Sequence, residues 1–95
     1  MSASPKTLER RLRIPDEVIA RDVGDGTVML DLAKGAYYGL DGVGSFIWGQ
    51  IAAGRPLAEV VEAVVGEFEV ERGVAERDLL ALVEDLVAQG LVVDD

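Results

Sequence analysis

At Asp41 the hydrophobic repeat of this chain changes from two residues to about 3.6. The change falls inside the stretch AYYGLDGVGSFIW, residues 36–48. Before it, Val18–Val23, Thr27–Leu32 and Ala36–Leu40 read as short β-type runs. Gly24-Asp25-Gly26 between the first two signals a hairpin turn, because glycine accepts positive φ at little cost. Ala33-Lys34-Gly35 marks the second turn. Alternation puts Val28, Leu30 and Leu32 on one face of the middle strand. In the third strand Tyr38 and Leu40 share a face, with Tyr37 on the other. The expectation is a three-stranded antiparallel meander.

After Asp41 the spacing is helical. Asp41 is a suitable N-cap, since its carboxylate can accept the unpaired N–H groups of a first turn. Val43, Phe46, Ile47 and Ile51 recur at helical spacing, with Trp48 at the margin of that face. Gly54 suits the end of this helix and Pro56 the first position of the next. Leu57, Val60, Val61, Val64, Val65 and Phe68 then form an i, i+3, i+4, i+7 stripe. Gly73 reads as an interruption before a third helix over about Ala75–Gln89, closed by Gly90, with Leu91-Val92-Val93 docking back as an extended tail. On that helix Leu79, Leu80, Leu82, Val83, Leu86 and Val87 sweep an arc of about 160°. One small core commonly takes about 100°, so the arc is wide enough to face both core and groove. Three strands followed by three helices make an α+β domain of winged-helix type.

Chemistry is restricted by what is missing. The 95 residues contain no cysteine and no histidine, which excludes disulfides, thiolate zinc sites, cysteine nucleophiles and histidine triads. The 18 carboxylates form no acid–base or calcium-loop pattern, and Asp25, Asp31, Glu59, Glu62 and Glu67 read as solvated faces. No phosphate-loop motif follows the glycines. The reading is therefore a protein with no catalytic residues, no metal and no cofactor. No apolar run approaches a membrane span, and the N-terminus lacks the apolar centre of a signal peptide, so the default location is cytoplasmic.

Charge is unevenly placed. Residues 1–13 hold Lys6, Arg10, Arg11 and Arg13 against Glu9, while the rest of the chain carries 17 acidic and 5 basic side chains, for a net charge of −9. The sequence thus reads as a flexible basic arm over residues 1–14, which pairs with the body or stays solvated, and a domain over residues 15–95. An acidic body suits basic partners and repels phosphate. The third helix sets Glu76, Asp78, Glu84 and Asp85 against Arg77, which argues against nucleic acid despite the winged-helix outline.

The pattern Gly35-x-Tyr37-Tyr38-x-Leu40-Asp41-x-x-Gly44-x-x-Ile47-Trp48 resembles the pyrroloquinoline quinone biosynthesis protein D family. So do Gly54 with Val60-Val61, and Asp78-(x)3-Leu82-Val83-x-x-Leu86-(x)3-Gly90-Leu91. The resemblance spans residues 16–93. Two positions depart from the usual pattern: Asp41 stands where asparagine is usual, and Pro56 where serine or threonine is common.

The resemblance implies a recognition element for the leaders of ribosomally made, modified peptides. The leader would add as a strand to the third strand, Ala36, Tyr37, Tyr38, Gly39 and Leu40, and lie against the third helix. Physics favours that place, because a meander leaves this edge unpaired. Leu79, Leu82, Val83 and Leu86 are the candidate pocket residues, and periodicity leaves open which face the groove and which the core. Asp78 and Asp85, beside them on the helical wheel, are candidate partners for leader lysine or arginine. Within the family the Tyr-Tyr-Gly-Leu-Asp form resembles the stand-alone leader-binding subunits of lasso-peptide pathways, whose partner is a transglutaminase-like cysteine protease. The alternatives are a peptide chaperone for a radical enzyme of redox-cofactor maturation and a generic winged-helix adaptor.

Overall fold

In the computed structural model, which describes residues 8–95, the three alternating segments pair in one antiparallel sheet. Its strands are β2 (Val18–Asp22), β3 (Thr27–Asp31) and β4 (Ala36–Leu40), in the order β2-β3-β4. A short strand β1 (Leu12–Arg13) precedes them. The helices α1 (Gly42–Ala52), α2 (Leu57–Phe68) and α3 (Arg72–Ala88) follow, and β5 (Val93–Asp94) ends the fold. Among the described residues no helix is long and apolar enough to cross a membrane.

Turn chemistry accounts for both hairpins. Asp22 accepts a hydrogen bond from the Gly24 N–H at 2.8 Å, and Gly24 takes a φ of 97° that only glycine adopts freely. At the second turn Asp31 accepts from the N–H groups of Ala33 and Lys34 at 3.0 and 3.3 Å. Asp31 is buried, which corrects its reading as a solvated carboxylate. Burial is tolerated there because the turn amides satisfy it.

The sheet turns its less apolar face inward. Met29 is fully buried and is flanked by buried Thr27 and Asp31, whereas Val28 and Leu32 are exposed. Thr27 shares a hydrogen bond with the Ser45 hydroxyl of α1, so both polar flanks of Met29 are satisfied. The apolar row Val28, Leu30 and Leu32 is left on the outside.

Asp41 caps α1 as its sequence position suggests, accepting from the Gly44 N–H at 3.3 Å. Gly54 follows α1 with a φ of 80°. Pro56 proves to be the N-cap of α2, with Leu57 as the first helical residue. Helix α3 begins three residues earlier than its periodicity suggests, so Gly73 lies in its first turn instead of interrupting the chain. The N–H groups of Arg72, Gly73 and Val74 precede the first helical bond, from the Ala75 N–H to the Glu71 carbonyl, and receive no side-chain cap from Glu71. Burial of Ala75 and Leu79 therefore secures the helix. At its end Gly90 takes a φ of 74°. The Gly90 N–H donates to the Val87 carbonyl and the Leu91 N–H to that of Leu86, a Schellman motif.

Leu91 and Val92 are buried, and the docked tail continues as β5. It pairs antiparallel with β1, Leu12 opposite Asp94 and Arg13 opposite Val93. Within the expected flexible arm over residues 1–14, the described residues 10–13 are thus tied to the body. Leu12 belongs to the core, Arg10 binds the Asp94 carboxylate through Nε at 2.9 Å, and the Arg10 carbonyl accepts from the Leu57 N–H. Positions 1–7 of that arm lie outside the described residues. Trp48, Ile47 and Ile51 of α1 close the core with Leu57, Val60 and Val61 of α2. The Ile-Trp signature is therefore a packing feature.

Candidate functional site

Two neighbours define the candidate site: the edge of β4, which no other described strand pairs, and one face of α3. The backbone groups at that edge follow from the ladder. The Val23 N–H donates to the Gly26 carbonyl and the Leu32 N–H to that of Glu17. These bonds share the register that pairs Ile19 with Leu30 and Arg21 with Val28. In an antiparallel ladder alternate residues exchange bonds, so Thr27, Met29 and Asp31 turn their backbone groups to β4. Their partners there are Leu40, Tyr38 and Ala36. Tyr37 and Gly39 are left to point N–H and C=O groups outward from the sheet. Each offers one donor and one acceptor to a further strand.

Side chains of β4 divide as alternation requires. Tyr38 and Leu40 are half-buried on the inner face, whereas Tyr37 is 72% exposed on the outer one. Ala36 is half-buried and Gly39 is open. The hydroxyl of Tyr38 donates to Gln89 Oε1 at 3.3 Å, and Lys34 Nζ donates to the Gln89 carbonyl at 2.8 Å. These two bonds tie the β3–β4 hairpin to the C-terminal end of α3, where a cation also complements the helix dipole.

The contact at Gln89 identifies which face of α3 lies towards β4. At about 100° per residue, Asp78, Leu82, Asp85 and Gln89 fall within about 60° of one another. Asp78 and Asp85 are exposed on this strip and Leu82 is half-buried between them. Leu79, Val83 and Leu86 are each at most 2% exposed and belong to the core. Of the four apolar candidates on this helix, only Leu82 offers surface. Half of the wide arc seen in the sequence is thus core, with Leu80 and Leu82 half-buried and Val87 exposed. Sequence reasoning did not single out Lys34 or Gln89. The signal for Gln89 was its wheel position, four residues beyond Asp85.

A second surface lies on the opposite side of the sheet. The cross-strand rows Ile19–Leu30–Tyr37 and Arg21–Val28–Gly39 face outward. Ile19, Arg21, Val28, Leu30 and Tyr37 of these rows line an open pocket of about 360 Å³ together with Val23. Ile19 is 46% exposed and Val23 56%. Contiguous apolar exposure of this kind marks an interaction surface more often than a solvated one.

Comparison with known proteins follows the same outline. The family model described as coenzyme PQQ synthesis protein D (PqqD) matches residues 26–92. A solved structure of TbiB1 in complex with the TbiA(beta) leader peptide is 38% identical, with a TM-score of 0.81, over 84% of this chain and 93% of that one. A structure of lasso peptide synthetase B1 complexed with the leader peptide is 32% identical, with a TM-score of 0.80, over 87% of this chain and 98% of that one. No curated protein matches the chain.

Proposed function

The chain belongs to the coenzyme PQQ synthesis protein D family, and from that premise we propose that it is the leader-binding subunit of a lasso-peptide pathway. It binds the leader of a ribosomally made precursor as a strand added to β4. It then presents the precursor to a partner cysteine protease of transglutaminase-like type, in the cytoplasm, and does no chemistry itself. The observation that carries this reading is the free edge of β4 beside the Asp78–Leu82–Asp85–Gln89 strip. An added strand there satisfies the outward groups of Tyr37 and Gly39, and its inward side chains meet Tyr38, Leu40 and Leu82. The likeness to two leader-bound lasso-peptide proteins supports it.

Amide hydrogen exchange tests the placement. Adding leader peptide should protect the N–H groups of Tyr37 and Gly39, while those of Tyr38 and Leu40, already in the ladder, change less. Protection on β2 instead of β4 would overturn the reading.

Leader charge gives a second test. Asp78 and Asp85 flank Leu82 in solvent and favour lysine or arginine in the leader. Reversal in Asp85→Lys should weaken binding by about 1 kcal/mol, as expected for a rim charge pair, and flatten its salt dependence. The fold should persist, because an exposed helical charge contributes little to stability. Titration of both forms at two salt concentrations checks this, and equal affinities at both would remove the flank from the site.

Presentation needs a surface that leader binding leaves free. The outer sheet face meets that need, since an added strand extends the sheet without covering Ile19, Val28 or Leu30. Ile19→Asp should leave leader affinity within about 0.5 kcal/mol of wild type, as a surface substitution remote from the groove. It should nevertheless reduce leader cleavage when the chain is reconstituted with its precursor and protease. Undiminished cleavage would place the protease elsewhere.

A further inference from the structure

Among its strand positions the outer sheet face carries one charge in an apolar setting, while Glu17, opposite Leu32 just before β2, is an exposed carboxylate at its rim and outside the pocket. The strand positions are Ile19 and Arg21 on β2, Val28 and Leu30 on β3, and Tyr37 and Gly39 on β4. Among these Arg21 alone is charged. The acidic strand residues Asp22 and Asp31 fall on the other parity, Asp31 buried and Asp22 exposed at the turn, where it accepts from the Gly24 N–H. Arg21 forms a wall of the 360 Å³ pocket together with Ile19, Val23, Val28, Leu30 and Tyr37. No ion pair joins it to another described residue. In a chain of net charge −9, a lone guanidinium in the middle of an apolar face is out of keeping with the rest of the surface.

We infer that this pocket receives an apolar anchor of the partner enzyme that carries a carboxylate, with Arg21 as its counter-ion and hence as the residue that selects the partner. The inference rests on the outer face being the enzyme-docking surface. Its physical basis is desolvation. Covering the pocket strips water from the guanidinium, and an uncompensated buried charge is costly, so a partner without a carboxylate at this place is rejected. A partner with one gains a charge-assisted bond, planar and two-pronged on the arginine side. A second copy of this chain is a poor occupant. Two such pockets brought together set Arg21 against Arg21, and neither pocket is lined by a carboxylate to pair with either.

The pocket can be probed without the enzyme. Naphthoate supplies a flat apolar body with a carboxylate, and naphthamide is its neutral counterpart. Followed by amide chemical shifts, naphthoate should perturb Arg21, Leu30 and Tyr37 and bind about tenfold more tightly than naphthamide, the scale of one charge-assisted hydrogen bond. Arg21→Gln should erase the preference, and Arg21→Lys should retain part of it. Equal binding of the two probes, or a preference that survives Arg21→Gln, would overturn the inference.

Reconstitution with precursor and protease separates this inference from the reading beneath it. Arg21→Glu should suppress leader cleavage as Ile19→Asp does, with leader affinity unchanged. Cleavage lost in Ile19→Asp but intact in Arg21→Glu removes only the charge pairing. Cleavage intact in both removes the docking surface itself. A dimer of the wild-type chain in sedimentation, dissociated by Ile19→Asp, would put a second copy on this face and also overturn the inference.

Discussion

Replacing Gly39 by proline is expected to abolish leader binding while the protein stays folded. Gly39 is one of two residues whose backbone groups point out from the edge of β4. Proline removes the outward donor and places its ring where the carbonyl of an added strand would lie. The β3–β4 ladder is spared, since its bonds belong to Ala36, Tyr38 and Leu40. Gly39 also has no positive φ that proline would be unable to adopt. An edge position facing away from its neighbour is where a strand tolerates proline. The leader carbonyl left without a donor costs about 2 kcal/mol, or roughly a thirtyfold loss of affinity, before any clash. Gly39→Ala is the control. A Cβ there meets nothing within 4 Å, so alanine should bind leader like wild type. Leader titration of the three forms, with circular dichroism to confirm folding, checks the result. Wild-type affinity in Gly39→Pro would exclude strand addition at this edge.

The largest loss of stability is expected at Gly26, in the β2–β3 turn. A Cβ on Gly26 would lie 2.2 Å from the Leu40 carbonyl oxygen, a backbone atom that cannot rotate away. Gly26→Ala must displace the end of β4 or the turn itself. Since Asp41 caps α1 in the next position, either shift also disturbs the strand-to-helix junction. Overpacking of this kind costs about 3 kcal/mol. For a domain of this size that is roughly 15 °C in Tm. Gly24→Ala provides the contrast in the same turn. Gly24 has the positive φ, but a Cβ there meets only open space, and the expected cost is about 1 kcal/mol of backbone strain. Thermal melts of the two variants should therefore separate clearly. Equal melting points would mean that the close approach of Gly26 to Leu40 is relaxed in solution.

Gly26 also shows why much of the site was not legible in advance. The sequence marks Gly24-Asp25-Gly26 as a turn, and Gly24 fulfils that role by its φ. Nothing local says that Gly26 is glycine for a different reason, the passage of a carbonyl 14 residues further on. The same limit applies to Lys34 and Gln89, which meet across 55 residues, and to Arg10 and Asp94, which meet across 84. Alternation in β3 separated two faces and could not say which one turns inward. That choice depended on Ser45 and on the turn amides, which let the row of Thr27, Met29 and Asp31 be buried.

What the sequence determined by itself is local. The Asp41 cap, the glycine terminators at Gly54 and Gly90, the opposite facing of Tyr37 and Tyr38, and the order of three strands before three helices all rest on interactions within a few residues. So does the family, because its pattern is spelled by those same elements. Tertiary structure decided the rest. It divided the apolar arc of α3 into the core residues Leu79, Val83 and Leu86 and residues that keep surface, Leu82 among them. It drew Leu12 and Arg13 into a strand beside Val93 and Asp94, and it left an apolar sheet face outside around Arg21. Each of these depends on which elements meet in space. Periodicity orders side chains around one axis or along one strand, but burial is set by what packs against them.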